Sequence, residues 1–266
     1  MKIVTFDVET IPDESRRDII RPIILERLQV DKPGLFELME GVGEQGDPHI
    51  GLETEIDRIM SITPEYCKLV CLGYAVNEEM PRIGIVNNID EAGRGGEPLT
   101  ETDLLKAFWK LVERADHIIG YNILNFDLQV IRSRSARLGI KNIRPLWDVK
   151  PWEPIVIDVY AKRWPSGSKG VQGRKLDQVA SVERIPIPLW YQAHPILEQG
   201  FTGADVLTAY QKGDLESIGT HCELNIIQTR ELARLWGGVF MPQVFLPWDG
   251  YDYEAGRWTG ERPEGW

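Results

Sequence analysis

Two acidic side chains two residues apart, Asp7 and Glu9, close the first apolar run of the chain, Ile3-Val-Thr-Phe6. In extended backbone residues i and i+2 face the same way, so both carboxylates converge on one point. A third acid, Asp127, ends the segment Gly120-Tyr-Asn-Ile-Leu-Asn-Phe-Asp127, and a fourth, Asp214, follows Tyr210 by one helical turn in Tyr210-Gln-Lys-Gly-Asp214. Carboxylates are the hard oxygen ligands that Mg²⁺ and Mn²⁺ prefer. Two such ions roughly 3.5 to 4 Å apart can generate a nucleophile from water and neutralise charge growing on phosphodiester oxygens. Taken singly, each motif also has an ordinary reading: a solvated strand end, an Asn/Asp turn capping a helix, and an exposed pair on a helix that Gly213 weakens.

To bring these acids together the chain must supply strands and helices in a suitable order. Residues 2–7 read as a buried strand. The stretch 14–65 carries helical patches at 19–28 and 52–62 around a Gly-rich run at 41–48, and reads as an insertion. Two β-rich runs, 68–76 and 82–88, flank a turn as a hairpin requires. Thr100-x-x-Asp103 opens a helix in which Leu104, Leu105, Phe108, Leu111 and Val112 recur at helical spacing. A short strand at 117–121, a helix carrying Leu128, Val130, Ile131 and Leu138, and a fifth strand at 154–158 follow. Later helices are expected at 176–181, 204–212 and 215–236. The predicted fold is α/β, a mixed five-stranded sheet flanked by helices.

The composition, 42% hydrophobic and 27% charged, is that of a soluble globular protein with a substantial core. We read 1–236 as one domain with the insertion at about 14–65, followed by a tail at 237–266. Cys67, Cys71 and Cys222 form no Cys-x-x-Cys pair and lack clustered histidines, so neither zinc nor a disulfide framework is expected, which suits a cytoplasmic protein. The opening apolar run is too short for a signal peptide or a membrane span, so no membrane partner is expected. A net charge of −11 argues against coating nucleic acid through bulk electrostatics, but not against local binding, because a carboxylate cluster loaded with cations attracts phosphate.

In order and spacing, the three acidic motifs resemble those of the DEDD superfamily of 3′-to-5′ exonucleases, which has a ribonuclease H-like fold. Asp7-x-Glu9 is similar to the first motif, Asn122-x-x-x-Phe126-Asp127 to the second and Tyr210-x-x-x-Asp214 to the third. The Gly-Tyr-Asn start of the second motif and the segment Lys175-Leu-Asp-Gln-Val-Ala180 resemble the proofreading domains of family B DNA polymerases. The resemblance spans 2–236 and leaves no room for a polymerase domain, so it points to a free-standing relative. It implies stepwise hydrolysis at the 3′ end of DNA, single-stranded or frayed, with two Mg²⁺ or Mn²⁺ ions and release of nucleoside 5′-monophosphates. It also implies that Asp7, Glu9 and Asp214 hold one ion, that Asp7 and Asp127 hold the other, the latter through water, and that Tyr210 orients the attacking water.

The histidine branch of that superfamily places its base one residue earlier, at Ala209 here, so the resemblance is to the tyrosine branch, and His221 reads as a helix-surface or core residue. A phenol with a pKa of about 10 positions water better than it deprotonates it. By the same resemblance Thr10, Ile11, Asn122 and Phe126 touch the terminal nucleotides. Lys169, Arg174 and Lys175, in a Gly/Ser-rich loop, are candidates to guide the strand, whereas Arg132, Arg134 and Arg137 read as a solvated helix face. Some of the nine tryptophans could stack on bases. RNA is the alternative substrate, and a catalytically silent nucleic-acid-binding module is the alternative of another class.

Overall fold

The structure is a computed structural model that describes residues 1–41, 51–86, 99–141, 144, 146, 155–163, 175–185, 187–192, 194–198, 200–240, 251–252 and 257–258. In chain order its elements are β1 (Ile3–Pro12), α1 (Arg17–Asp31), α2 (Pro33–Gly41), α3 (Leu52–Ile62), β2 (Cys67–Val76), β3 (Arg82–Ile85), α4 (Glu101–Val112), β4 (His117–Gly120), α5 (Asp127–Arg137) and β5 (Val156–Asp158). Then follow α6 (Val159–Arg163), α7 (Leu176–Val182), α8 (Leu189–Gln192), α9 (Pro195–Glu198), α10 (Val206–Lys212), α11 (Leu215–Phe240), β6 (Tyr251–Asp252) and β7 (Arg257–Trp258). The Gly-rich run at 42–48 lies outside the described residues.

Five strands form one mixed sheet in the order β3-β2-β1-β4-β5. β1 runs antiparallel to β2 and parallel to β4, β2 is antiparallel to β3, and β4 is parallel to β5. This is the ribonuclease H-like arrangement that the motifs implied, with helices on both faces. β1 is its centre because both of its faces are covered. Val4, Phe6 and Val8 pack into a core with Leu104, Phe108 of α4 and Leu128, Ile131 of α5. The opposite face, which carries Asp7 and Glu9, lies under α11.

Local chemistry accounts for the ends of these elements. Thr100 caps α4 through the reciprocal pair expected from the sequence, with Asp103 N–H donating to Thr100 Oγ1 at 3.2 Å and Thr100 N–H donating to Asp103 Oδ2 at 2.9 Å. β1 is longer than the sequence suggested. It continues to Pro12, across a register shift between Glu9 and Thr10, because β2 supplies a partner along the whole length. Glu9 is therefore inside a strand rather than beyond its end. Residues 17–41 and 52–62 supply α1, α2 and α3, which share their own apolar cluster, including Ile20, Ile24, Phe36, Ile56 and Met60. α3 packs on β1.

Arg134 departs from the solvated face expected for α5. It is buried and pairs with Asp13 at 2.5 Å and Glu101 at 2.7 Å, tying α5 to the end of β1 and the start of α4. Among the described residues no helix is long and apolar enough to cross a membrane.

Candidate active site

The parallel strands β4 and β5 end at Gly120 and Asp158, and the crevice beyond such strand ends is where open α/β sheets bind ligands. β4 pairs with β1 only over Ile3, Val4 and Thr5. Beyond Thr5 that edge of β1 is open. Asp127 fills it: its Oδ1 accepts a hydrogen bond from the Val8 N–H at 3.1 Å, which docks the first residue of α5 beside Asp7.

The turn that delivers Asp127 is built by its neighbours. Gly120 is required, since a Cβ there would lie 2.0 Å from Ile123 Cγ2. Asn122 takes a left-handed φ of 62°, which asparagine tolerates better than most side chains. Asp158, at the end of β5, accepts from the backbone N–H groups of Asn122 and Leu124, each at 3.0 Å. Asp158 was not among the expected site residues, although an acid ending a predicted strand was a usable signal.

The other wall of the crevice is α11. The side chain of Asn225 reaches both acids of β1, its Nδ2 donating to Asp7 Oδ2 at 3.2 Å and to Glu9 Oε1 at 3.4 Å. His221, one turn earlier, places Nε2 3.5 Å from Glu9 Oε1. Cys222 Sγ donates to the Asp7 carbonyl at 3.7 Å. The helix comes this close because β2 offers Gly73 opposite Asp7, where a Cβ would stand 2.5 Å from Ile226 Cδ1 and 2.7 Å from Cys222 Sγ.

Burial dominates the electrostatics. It pushes the Asp7 carboxyl up to about 7, against the opposing hydrogen bonds from Asn225, Cys222 and Glu9. Burial and then the neighbouring Asp7 hold Glu9 well above the ordinary carboxylate range, and the same two causes raise Asp127. Burial lowers His221 to about 4, so its imidazole is neutral at physiological pH. No lysine or arginine among the described residues forms an ion pair with any of the three acids.

Asp7, Glu9 and Cys222 bring ligand atoms to within 4.8 Å of one another, and Asp127, outside that group, lies near enough for the charge of Asp7 to raise it. The oxygen donors suit a hard divalent ion. The thiol does not, because burial keeps Cys222 protonated.

Three of the four expected acids are thus brought together, and the third motif is not. Asp214 is exposed, and its Oδ1 accepts from Ser217 N–H at 3.1 Å, which caps the start of α11. Asn225 lies within α11, ten residues beyond its first residue Leu215, about 15 Å along the axis at roughly 1.5 Å per residue. Tyr210, on α10, packs against the apolar cluster of Ile11, Val206 and Ile218, and makes no hydrogen bond to the acids. The side chains that face Asp7 and Glu9 at i and i+4 are instead His221 and Asn225. The sequence placed His221 on a helix surface or in the core, whereas it faces Glu9, and it gave no role to Asn225, which is neutral, although the spacing of the two on one face of a predicted helix was visible.

The expected substrate contacts divide similarly. Thr10 is buried with its hydroxyl donating to the Ser61 carbonyl at 2.6 Å, and Ile11 lies in the core, so neither side chain is free to meet a nucleotide. Asn122 and Phe126 are half-buried at the rim, Asn122 Oδ1 accepting from Asn125 Nδ2 at 2.8 Å and Phe126 preceding α5. Lys175 is exposed before α7, while Lys169 and Arg174 lie outside the described residues.

Residues 54–161 match the family described as the exonuclease domain of DNA polymerase family B. The match runs from α3 into α6 and includes Asp127, leaving β1 and α11 outside it. A solved family B DNA polymerase from the hyperthermophilic archaeon Pyrobaculum calidifontis is similar over 89% of this chain, at 16% identity and a TM-score of 0.47. The chain covers 24% of that polymerase. No curated protein matches. The sequence likeness to that exonuclease domain is thus confined to 54–161, and the acids of β1 and the polar pair of α11 lie outside it.

Proposed function

We propose that the protein is a metal-dependent 3′-to-5′ exonuclease acting on DNA with a free or frayed 3′ end, with RNA as the alternative substrate. The observation that carries this reading is the convergence of Asp7, Glu9 and Asp127, from β1 and α5, in one buried crevice without a lysine or arginine partner among the described residues. Buried carboxylates in that state repel one another, and divalent cations relieve the repulsion. Asp7, Glu9 and Asp127 would hold Mg²⁺ or Mn²⁺, which supplies an activated water and stabilises charge on the phosphodiester. Asp127 is fixed by Val8 and Asp7 by Asn225, so the ligands are positioned before a substrate arrives. His221, neutral and against Glu9, stands where a group could orient that water. Asn122, Phe126 and Lys175 are available at the surface to meet the strand.

Asn225 favours a second reading, because it stands where the resemblance implies a fourth acid: a nucleic-acid-binding module that has lost turnover. One experiment separates the two. A 3′-labelled single strand, as DNA and as RNA, is incubated with the full chain over a titration of Mg²⁺ or Mn²⁺. Mononucleotide release that requires the cation and falls at least about 100-fold in Asp7→Asn is the expected result. Release in excess chelator would overturn the metal mechanism. Retention of the strand without release at every cation concentration would leave the binding module.

A further inference from the structure

We infer that Asn225 is a neutral, reversible fourth ligand: its amide ties Asp7 and Glu9 together when no cation is present, and its carbonyl turns to the cation when one binds. This rests on the cation site proposed above. The three acids have no lysine or arginine partner among the described residues, His221 beside Glu9 is held neutral by burial, and the Asn225 amide is the side-chain donor shared by Asp7 and Glu9, at 3.2 and 3.4 Å. Its backbone is held there by the close approach of α11 to β2 at Gly73.

A carboxamide carries two donor hydrogens and an acceptor oxygen on one planar group. Half a turn about its last torsion exchanges Nδ2 for Oδ1 without moving the helix. The same residue can therefore satisfy the site in both states. An aspartate at 225 suits the loaded state better, since in the empty one it would add a fourth buried carboxyl, either charged beside the other three or held protonated by its surroundings. With a cation bound it would attract more strongly, because divalent affinity rises with ligand charge. Asparagine gives a site that is stable when empty and binds its cation more weakly than four acids would.

Calorimetric titration with Mn²⁺ and thermal melting in excess chelator test this on the full chain. Asn225→Asp is expected to melt below wild type in chelator and to bind Mn²⁺ tighter, on the order of tenfold. Asn225→Ala is expected to melt below wild type in chelator with no gain in Mn²⁺ affinity. An Asn225→Asp protein that melts with wild type in chelator and binds Mn²⁺ no tighter overturns the inference. Should that variant fold only with Mn²⁺ present, the need for the cation supports it, and an Asn225→Ala protein melting with wild type in chelator overturns it. Asp7→Asn separates the levels. If it keeps wild-type Mn²⁺ binding, the cation site itself is wrong. If it loses binding while Asn225→Asp matches wild type, only the role of Asn225 fails.

Discussion

Asp214 caps the start of α11 and Asn225 lies within it, and their substitution should separate stability from turnover. Asp214 is exposed and satisfies the Ser217 N–H, one of the donors that a helix start leaves without an intrahelical partner. Asp214→Ala is expected to cost about 1 kcal/mol of stability, the usual worth of such a cap, and to change nucleotide release little. Tyr210→Phe should also stay within about threefold of wild-type kcat, because its hydroxyl touches none of the acids. Urea melts and steady-state release on the 3′-labelled strand measure both. A loss of 100-fold or more in either variant would return the third motif to the positions the sequence suggested.

Single elements here serve packing and the site together. α11 runs for 26 residues over β1, β2 and β3, and one of its faces carries both core side chains such as Ile218 and Ile226 and the polar pair His221 and Asn225. Its height above the sheet is set by Gly73. Gly73→Ala would place a Cβ within 2.8 Å of Ile226, Cys222 and Ile83 at once, more than a single rotamer change relieves. The expected loss is about 1–3 kcal/mol, typical of overpacking. Lifting α11 also lengthens the Asn225 contacts, so Mn²⁺ affinity should fall with stability. A Gly73→Ala protein with wild-type melting and wild-type Mn²⁺ binding would show that the helix has room to spare.

For the whole molecule, the crevice makes stability depend on pH and cations together. Asp7, raised from 3.8 to about 7, and the likewise raised Glu9 and Asp127 bind more protons in the folded chain than in the unfolded one. Glu231, buried and raised to about 7, adds to them. A folded state that holds extra protons loses stability as pH rises, here from the ordinary carboxylate range to about 7. His221 works against this. Lowered from 6.5 to about 4, it gives up its proton on folding, and its contribution rises with pH across that interval. The acids outnumber it. In excess chelator the melting temperature is therefore expected to fall between about pH 5 and pH 7.5, and saturating Mn²⁺ should flatten the decline by taking the place of the protons. A melting temperature that climbs over this range in chelator would show that the acids are not held protonated by burial.

The alternating apolar residues of β1, the spacing of Leu104, Leu105 and Phe108, and the Thr100/Asp103 cap were enough to order the strands and helices, because each depends on side chains near in sequence. Asp7 and Glu9 converge for the same reason, being i and i+2 on one strand. Asp127 was visible because an acid following a strand and a tight turn is a local pattern. The partner facing these acids across the crevice is a different kind of fact. Tyr210/Asp214 and His221/Asn225 are both i, i+4 pairs, so period alone cannot choose between them. The choice depends on where α11 crosses the sheet, and that is fixed by the missing side chain at Gly73, well over a hundred residues away. Burial, too, belongs to the assembled chain: Arg134 left a helix face for Asp13 and Glu101, and the acids of β1 acquired their raised pKa values, only when helices closed over both faces of the sheet.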